Sequence, residues 1–468
     1  MDGTPAASGA APAVVPLRAN REFRLLWVGQ ALSDFGTAMT SLVLPLVLLR
    51  SGYSTSATSV IGTAVLVTAM VLRMPAGYLT DHYSHRRLML VADLARLVTV
   101  GAVAVWTYLD RLPIAMAVIT VVVAQVGVEL FRPSQNATVR RVVPAVQLGT
   151  AISLNQARAY AAGIVAPAVA GLLIAASLWL PFAIDAATYA VSALCVLALY
   201  RPLRRAEAAR RADRDAGAGA GDGAGGTGER TPGAADPARE AEDSEEAVLA
   251  HMSGTGAKSE PRERFLPRLT AGLRYVVRNP FLRTIAGLAA GENFAFQALA
   301  YALLLGIGRE HDGAAAVGLA MSAAAITGLT GSLIAPFLQR RLRMQTVMAS
   351  GPALAGVMLA VAWYTDSGIA FAAGYSALCL LTPVNGAVFG TILATTVPEN
   401  IYGRTTTALG FVAEILQPLG PLAAGLLLSY LSLSGTAALF ALAFALLAAL
   451  ALLMPSPPVT ADAKTAAA

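Results

Sequence analysis

The chain has 468 residues, of which 56% are hydrophobic and 13% charged, with a formal net charge of +6. A soluble domain carries about 25% charged residues, and the deficit here coincides with recurring apolar runs of about 20 residues, long enough to cross a bilayer; an ordinary soluble enzyme is excluded. Lys258 and Lys464 are the only lysines, and neither follows a glycine, so there is no G-K-[ST] loop to hold a nucleotide phosphate.

In chain order, residues 1–20 read as a disordered tail, without the basic and apolar regions of a cleaved signal. Apolar runs then predict helices over Phe23–Leu49, Val60–Leu79, Leu88–Leu109, Ile114–Phe131, Ala151–Ile174 and Pro181–Tyr200. They define an N-terminal six-helix bundle over residues 21–200. Residues 201–261 are rich in Ala, Gly, Arg, Asp and Glu and lack periodic apolar positions, so a disordered linker is expected. In residues 262–280, Leu269, Leu273, Val276 and Val277 interleave with Arg268, Arg274 and Arg278, the pattern of an amphipathic helix lying at the membrane surface. A second bundle, over 281–454, follows from runs at Phe281–Leu305, Ala314–Leu338, Gln345–Tyr364, Gly368–Leu393, Thr405–Leu431 and Gly435–Met454. Residues 455–468 read as a disordered tail. The expected fold is an all-α membrane protein of twelve transmembrane helices.

Arginine placement sets the orientation. Arg18, Arg21, Arg24, Arg86, Arg87, Arg140, Arg141, Arg340, Arg341, Arg343 and Arg404 fall on one side, and only Arg50, Arg111 and Arg309 on the other. Cytoplasmic loops hold the excess of basic residues, which places both termini inside a cell inner membrane. The arginines therefore serve topology and give no reason to expect a nucleic-acid partner. Cys195 and Cys379 sit inside apolar runs, and His82 and His85 lack further ligands, so neither a disulfide, a metal site nor a cofactor is expected.

The two bundles are related in sequence. Displaced by 254 positions, Gly77 falls on Gly331, Arg86-Arg87-Leu88 on Arg340-Arg341-Leu342, Val143-Pro144 on Val397-Pro398, Pro167 on Pro421 and Gly171 on Gly425. Coincident Pro, Gly and Arg-Arg are hard to obtain by chance. Parallel six-helix repeats about an axis normal to the membrane are a transporter design, with the binding site between them. Without an ATP-hydrolysing engine, uphill movement would draw on an ion gradient.

Ionisable residues inside the spans mark candidate sites, since each is costly to bury unpaired. Gln30, Asp34, Thr37 and Ser41 share one face of the first helix. Glu292 occupies the corresponding place in the seventh, beside Asn293, Gln297 and Tyr301. Two carboxylates in equivalent helices suit a shared central cavity and exchange of a proton or cation; the alternative is a structural pair of Asp34 with Arg73 or Arg158. Glu414 with Gln417, and Arg158 with Asn155, are further cavity candidates. Asp93 and Arg96, one turn apart, read as a self-satisfying pair. Arg73 and Glu129 are expected to reach lipid headgroups, and Asp185 to be structural. Cavity positions rich in Ala, Leu, Val and Phe point to lipophilic cargo.

The turn after the second helix reads Gly77-Tyr78-Leu79-Thr80-Asp81-His82-Tyr83-Ser84-His85-Arg86-Arg87. It resembles the signature loop of the major facilitator superfamily, G-x-L-x-D-x-x-G-R-[RK]-[RK], with Ser84 and His85 where the family carries Gly and Arg. The resemblance implies a conformational latch formed by Gly77, Asp81, Arg86 and Arg87, with Asp81 near the start of the eleventh helix; topology anchoring is the plainer alternative. Pro167 and Gly171, matched by Pro421 and Gly425, resemble the helix-bend motif of the superfamily's antiporters; an ordinary packing stripe is again the alternative.

Arg21-Glu22-Phe23-Arg24-Leu25-Leu26-Trp27-Val28-Gly29-Gln30, Ala92-Asp93-Leu94-Ala95-Arg96 and Phe182-Ala183-Ile184-Asp185-Ala186 are similar to the branch holding macrolide-efflux pumps and the enterobactin exporter. So is Gly272-Leu273-Arg274-Tyr275-Val276-Val277-Arg278-Asn279-Pro280. This resemblance implies proton-driven export of a small lipophilic drug or natural product by a monomer. A nutrient importer of the same fold and a transport-dead sensor or scaffold remain as alternatives. A membrane enzyme is not expected, because no nucleophile–base pair is present.

Overall fold

A computed structural model describes residues 17–219, 273–309, 313–397 and 399–455. The helices are α1 (Arg21–Arg50), α2 (Thr55–His82), α3 (His85–Tyr108), α4 (Ile114–Val142), α5 (Ala145–Ala176), α6 (Leu180–Gly219), α7 (Pro280–Gly308), α8 (Gly313–Arg341), α9 (Met344–Thr365), α10 (Gly368–Thr396), α11 (Glu399–Glu414), α12 (Leu419–Tyr430) and α13 (Leu433–Leu452). Twelve spans among the described residues are long and apolar enough to cross a membrane, α11 and α12 together forming the eleventh. No strand occurs among the described residues. That is what lipid requires, since a helix satisfies its own backbone hydrogen bonds.

Local chemistry sets the ends. The side chains of Asn20, Ser54, Asn279, Ser367 and Ser432 accept hydrogen bonds from the first-turn amides of α1, α2, α7, α10 and α13. Asp110 and Asp366, in matching turns of the two halves, take the left-handed conformation at φ 52° and 49°, a conformation that Asp tolerates. The helices outrun the apolar stretches that predict them. α4 continues from Phe131 to Val142 through Gln135, Asn136, Arg140 and Arg141, because helical hydrogen bonding does not stop where hydropathy does.

Two boundaries differ from expectation. α6 runs to Gly219, into the stretch expected to lack structure from Arg201; Ala- and Arg-rich sequence has high helix propensity. The N-terminal tail gives way to a turn at 17–20, where Leu17 is buried and Asn20 Nδ2 donates to Val142 O at 2.8 Å. At the other end Met454 is buried against the C-terminal half. The rest of the linker and residues 262–272 of the expected surface helix lie outside the described residues; residues 273–278 are helical, with Val276 buried and Arg274 and Arg278 exposed.

Helix pairing repeats between the halves. α3 packs on α4 and α6 as α9 packs on α10 and α13, and α2 on α4 as α8 on α10. The halves meet chiefly through α5 with α8 and α2 with α12. One hydrophobic core spans both halves, joining Met39–Leu48 of α1 to Leu299–Ile307 of α7 and to Ala166, Val317 and Ala424. Toward the arginine-rich end this core divides. Phe23, Leu26, Met89, Val139 and Leu199 form one cluster, and Phe281, Leu282, Val347, Val384 and Leu409 another, with no residue of one half in the cluster of the other. The bundle is closed at one mouth and parted at the other.

Close packing inside each half depends on glycine at particular positions. A Cβ on Gly331 of α8 would collide with the carbonyl of Leu380 in α10, whereas one on exposed Gly287 of α7 meets nothing within 4 Å. Gly→Ala in an open helix position stabilises by about 1 kcal/mol, and forcing atoms into a packed core costs about 1–3 kcal/mol. Gly331→Ala is therefore expected to lower the thermal unfolding midpoint in detergent and Gly287→Ala to leave or raise it. Equal behaviour of the two would contradict this packing.

Candidate functional site

Two cavities lie on the parted side of the bundle, one in each half. The N-terminal cavity, about 530 Å³, is walled by α1, α4 and α5 with a contribution from α3. Gln30, Asp34, Thr37 and Ser41 of α1 all line it. Asp34 does not stand alone there. Its Oδ2 accepts from Arg158 Nε of α5 at 3.0 Å and its Oδ1 from Gln30 Nε2 at 2.9 Å, while Arg158 Nη1 donates to Asn155 Oδ1 at 3.3 Å. The Asp34–Arg158 pair ties α1 to α5 within one half.

The C-terminal cavity, about 280 Å³, is lined by Glu292, Asn293, Phe296, Gln297, Thr382, Asn385 and Gln417 among others. Asn293 Nδ2 donates to Ala413 O at 3.0 Å. Glu292 Oε1 is buried without a hydrogen-bond partner, and no ion pair to Glu292 occurs among the described residues. A carboxylate out of water without a counter-charge is costly, so this group is a place for a proton or a cation to settle. Asp34 and Glu292, expected to share one cavity, thus line separate ones, because α1 and α7 each turn their polar face toward helices of their own half. Tyr301 is absent from the lining; its ring packs on Gly62 of α2, across the interface between halves.

Other candidates bind the halves to each other. Glu414 forms an ion pair with Arg73 of α2, so Arg73, though exposed, reaches the other half where a headgroup contact was expected. Thr63 Oγ1 donates to Pro418 O at 2.9 Å. At the closed mouth Thr55 Oγ1 donates to Gly425 O at 3.1 Å and accepts from Arg309 Nη2 at 2.6 Å, and Arg309 Nη2 also reaches Leu428 O at 2.9 Å. A larger depression of about 910 Å³ lies over these ties, lined by Arg50, Tyr53, Arg309 and Ser429, and holds none of the candidate carboxylates.

The helix-bend positions serve the same contact. A Cβ on Gly171 would sit 3.0 Å from Ala315 Cα, one on Gly318 would strike Pro167 O, and one on Gly425 would strike Ser59 and lie 2.7 Å from Thr55 O. Pro167 lies within a continuous α5. In the eleventh span the helix instead breaks over residues 415–418, where Leu419 N and Gly420 N bond to carbonyls three residues back; Pro418 and Pro421 have no N–H to continue the ladder. The expected latch straddles the turn from α2 to α3, with Arg86 and Arg87 in the first turn of α3; the side chains of Gly77 and Asp81 lie outside the described residues.

Buried acids fix α6. Asp185, fully buried, accepts from Thr40 Oγ1 at 2.5 Å, and Asp93 accepts from Ser192 Oγ at 2.7 Å. The expected pair of Asp93 and Arg96 is present as a loose buried ion pair, N···O 3.8 Å, with Asp93 Oδ2 accepting from Ser192 as well. Arg96 also lines the N-terminal cavity. So do Arg132, Gln135, Asn136 and Gln156, which makes this cavity far more polar than the Ala, Leu, Val and Phe content of the helices suggests. The polar residues lie on faces that a run-averaged hydropathy dilutes.

Twelve spans in two repeated bundles, with cavities opening to one side, define a multi-pass membrane transporter. Residues 26–417 match the model of the Major Facilitator Superfamily, and the chain belongs to that family. It is similar to the multidrug efflux pump Tap of Mycolicibacterium fortuitum, 24% identical over 438 residues that cover 90% of this chain and 92% of the pump. It is also similar to macrolide efflux protein A of Streptococcus pyogenes, 27% identical over 158 residues, or 34% of this chain and 38% of that protein. In fold it resembles a bacterial homologue of the iron transporter ferroportin in an inward-facing state, with a TM-score of 0.63, 14% identity and coverage of 93% and 97% of the two chains. The nucleoside transporter NupG superposes with the same TM-score at 10% identity, over 92% and 98% of the chains. The protein is a transporter and not an enzyme.

The two ion pairs differ in setting. Asp34→Asn strands Arg158, which is 8% exposed; breaking a buried pair costs about 3–5 kcal/mol, less here because Asp34 is 26% exposed to the cavity. Glu414→Gln opens a pair whose side chains are 58% and 36% exposed, worth about 0–1 kcal/mol. Asp34→Asn should depress the unfolding midpoint well beyond Glu414→Gln, and Asp34→Asn/Arg158→Gln should recover part of the loss. Similar midpoints for Asp34→Asn and Glu414→Gln would contradict the assignment.

Proposed function

We propose that the protein is a proton-coupled exporter of a small lipophilic drug or natural product, working as a monomer by alternating access in the inner membrane with both termini cytoplasmic. The observation that carries the reading is Glu292, an acid without a counter-charge among the described residues, in a cavity between α7, α9 and α10. A carboxylate so placed alternates between a protonated state and one compensated by cargo or water, which is the elementary act of coupling. The full-length similarity to a multidrug efflux pump supports the outward direction.

In this reading the structure is the inward-open state, since the parted mouth carries Arg140, Arg141, Arg343 and Arg404 and such an end is cytoplasmic. Cargo enters between the halves, and the contacts of α5 with α8 and of α2 with α12 open when the bundles rock. Asp34, held by Arg158, ties α1 to α5 in the N-terminal half, where Glu292 stands without such a partner.

A susceptibility panel in an efflux-deficient host identifies a cargo, and proteoliposomes then separate coupling from movement. Glu292→Gln is expected to reduce uptake driven by an imposed proton gradient at least tenfold while sparing counterflow, in which no net proton moves. Undiminished gradient-driven transport by Glu292→Gln would remove this residue from coupling. Expression that raises, and does not lower, cellular accumulation of the cargo would reverse the direction to import.

A further inference from the structure

The N-terminal cavity is polar and yet matched in charge. Arg158 is paired with Asp34 at 3.0 Å and Arg96 with Asp93 at 3.8 Å. Arg132, the remaining cation of the lining, follows Glu129 by one turn of α4, close enough for the two charges to offset each other. What the lining offers in quantity is uncharged hydrogen-bonding capacity on accessible atoms. Asn136 of α4 and Gln156 of α5 are exposed to the cavity and make no hydrogen bond among the described residues. Asn155 gives its Oδ1 to Arg158, and Ser41 gives its hydroxyl proton to Ala38 O, which leaves the amide donors of the one and a lone pair of the other. Each amide presents two donors and an acceptor oxygen in one plane. Val128 and Ile152 add apolar surface on the same two helices, α4 and α5.

We propose that this cavity receives the hydroxyl-bearing ring of a glycosylated compound, so that the transported molecule is an amphiphile with a neutral sugar as its polar end. A ring hydroxyl is donor and acceptor at once, and a pair of neighbouring hydroxyls is answered by the N–H and C=O of one primary amide. The C–H faces of the ring meet the apolar surface of Val128 and Ile152. An acidic or basic head group would need an unmatched charge, and the charges here already have their partners. The size agrees, since about 530 Å³ lies within the range of small-molecule sites, about 300–1,000 Å³. The C-terminal cavity has Phe296, Pro352, Leu378 and Phe444 in its wall and suits the apolar part of such a molecule.

Calling the compound a cargo rests on the exporter reading, but equilibrium binding to the full-length chain has no direction and needs no gradient. The chain is held in lipid nanodiscs, because the head groups of sugar detergents would compete. The probes are 2-naphthyl β-D-glucopyranoside and β-D-galactopyranoside, with two comparison compounds. The tetrahydropyranyl ether of 2-naphthol keeps the rings and lacks the hydroxyls, and 2-naphthyl β-D-glucuronide adds a charge. Equilibrium dialysis against empty nanodiscs reads binding net of partition into lipid. The wild type is expected to bind at least one glycoside at least about tenfold more tightly than the ether, the worth of one or two neutral hydrogen bonds, and the glucuronide no more tightly than the glucoside. Asn136→Leu/Gln156→Met, near in size and with no hydrogen bond to lose, should leave the unfolding midpoint unchanged and reduce the preference about two- to tenfold. Binding of neither glycoside in preference to the ether, or tighter binding of the glucuronide, overturns the proposal even if the double variant does not fold. A preference that the folded double variant retains in full overturns it as well. Transport that proves inward or uncoupled leaves the binding result standing and fails the exporter reading alone.

Discussion

The architecture depends on how the two bundles touch. Lipid gives helices no hydrophobic reason to associate, so contact must come from packing at short range and from hydrogen bonds. Here the shortest approaches are made by glycine. Gly171 lies against Ala315, Gly318 against Pro167 O, and Gly425 against Thr55 and Ser59. All belong to the helices α5, α8, α2 and α12 that join the halves, and all lie toward the arginine-poor mouth. Because that mouth is sealed backbone to backbone, the other is free to part, and the split of the core there is what gives the cavities access. The sequence repeat explains why the seal is two-fold: Gly171 and Gly425 are equivalent positions, and each presses its helix on the opposite bundle.

The bundles share a fold but divide the electrostatics. In the N-terminal half the cavity acid Asp34 is matched by Arg158 and Arg96 by Asp93. In the C-terminal half Glu292 has no match among the described residues. The Arg73–Glu414 pair and the Thr55–Arg309 tie sit on the interface that movement of the bundles breaks.

Much of this was legible in the sequence. Span number, all-α class, the repeat and the family follow from apolar run length, Pro and Gly register and the Gly77–Arg87 loop. Asp34 and Glu292 are visible because a carboxylate inside an apolar run is conspicuous. The sequence offered Asp34 either Arg73 or Arg158 as partner and could not choose, since the choice depends on helix rotation: Arg158, 124 residues away, takes it, while Arg73 goes to Glu414. Tyr301 shows the same limit. It shares a stripe with Gln297, yet the missing side chain of Gly62, on a distant helix, draws its ring into the interface. The space that Gly127 leaves for the Arg96 side chain has no local mark beyond the glycine itself.

On the proposed function, the bundles rock about the glycine seal under control of the proton on Glu292. The most direct test measures both mouths at once. With Cys195 and Cys379 replaced by alanine, spin labels at Val146 and Tyr402 report the arginine-rich mouth and labels at Ser56 and Ser434 the other, by pulsed dipolar spectroscopy in liposomes at acidic and neutral pH. The account predicts that a change of pH shifts the two distances in opposite senses, and that Glu292→Gln holds both at one setting. Distances that move together, or that respond to pH as before in Glu292→Gln, would contradict it.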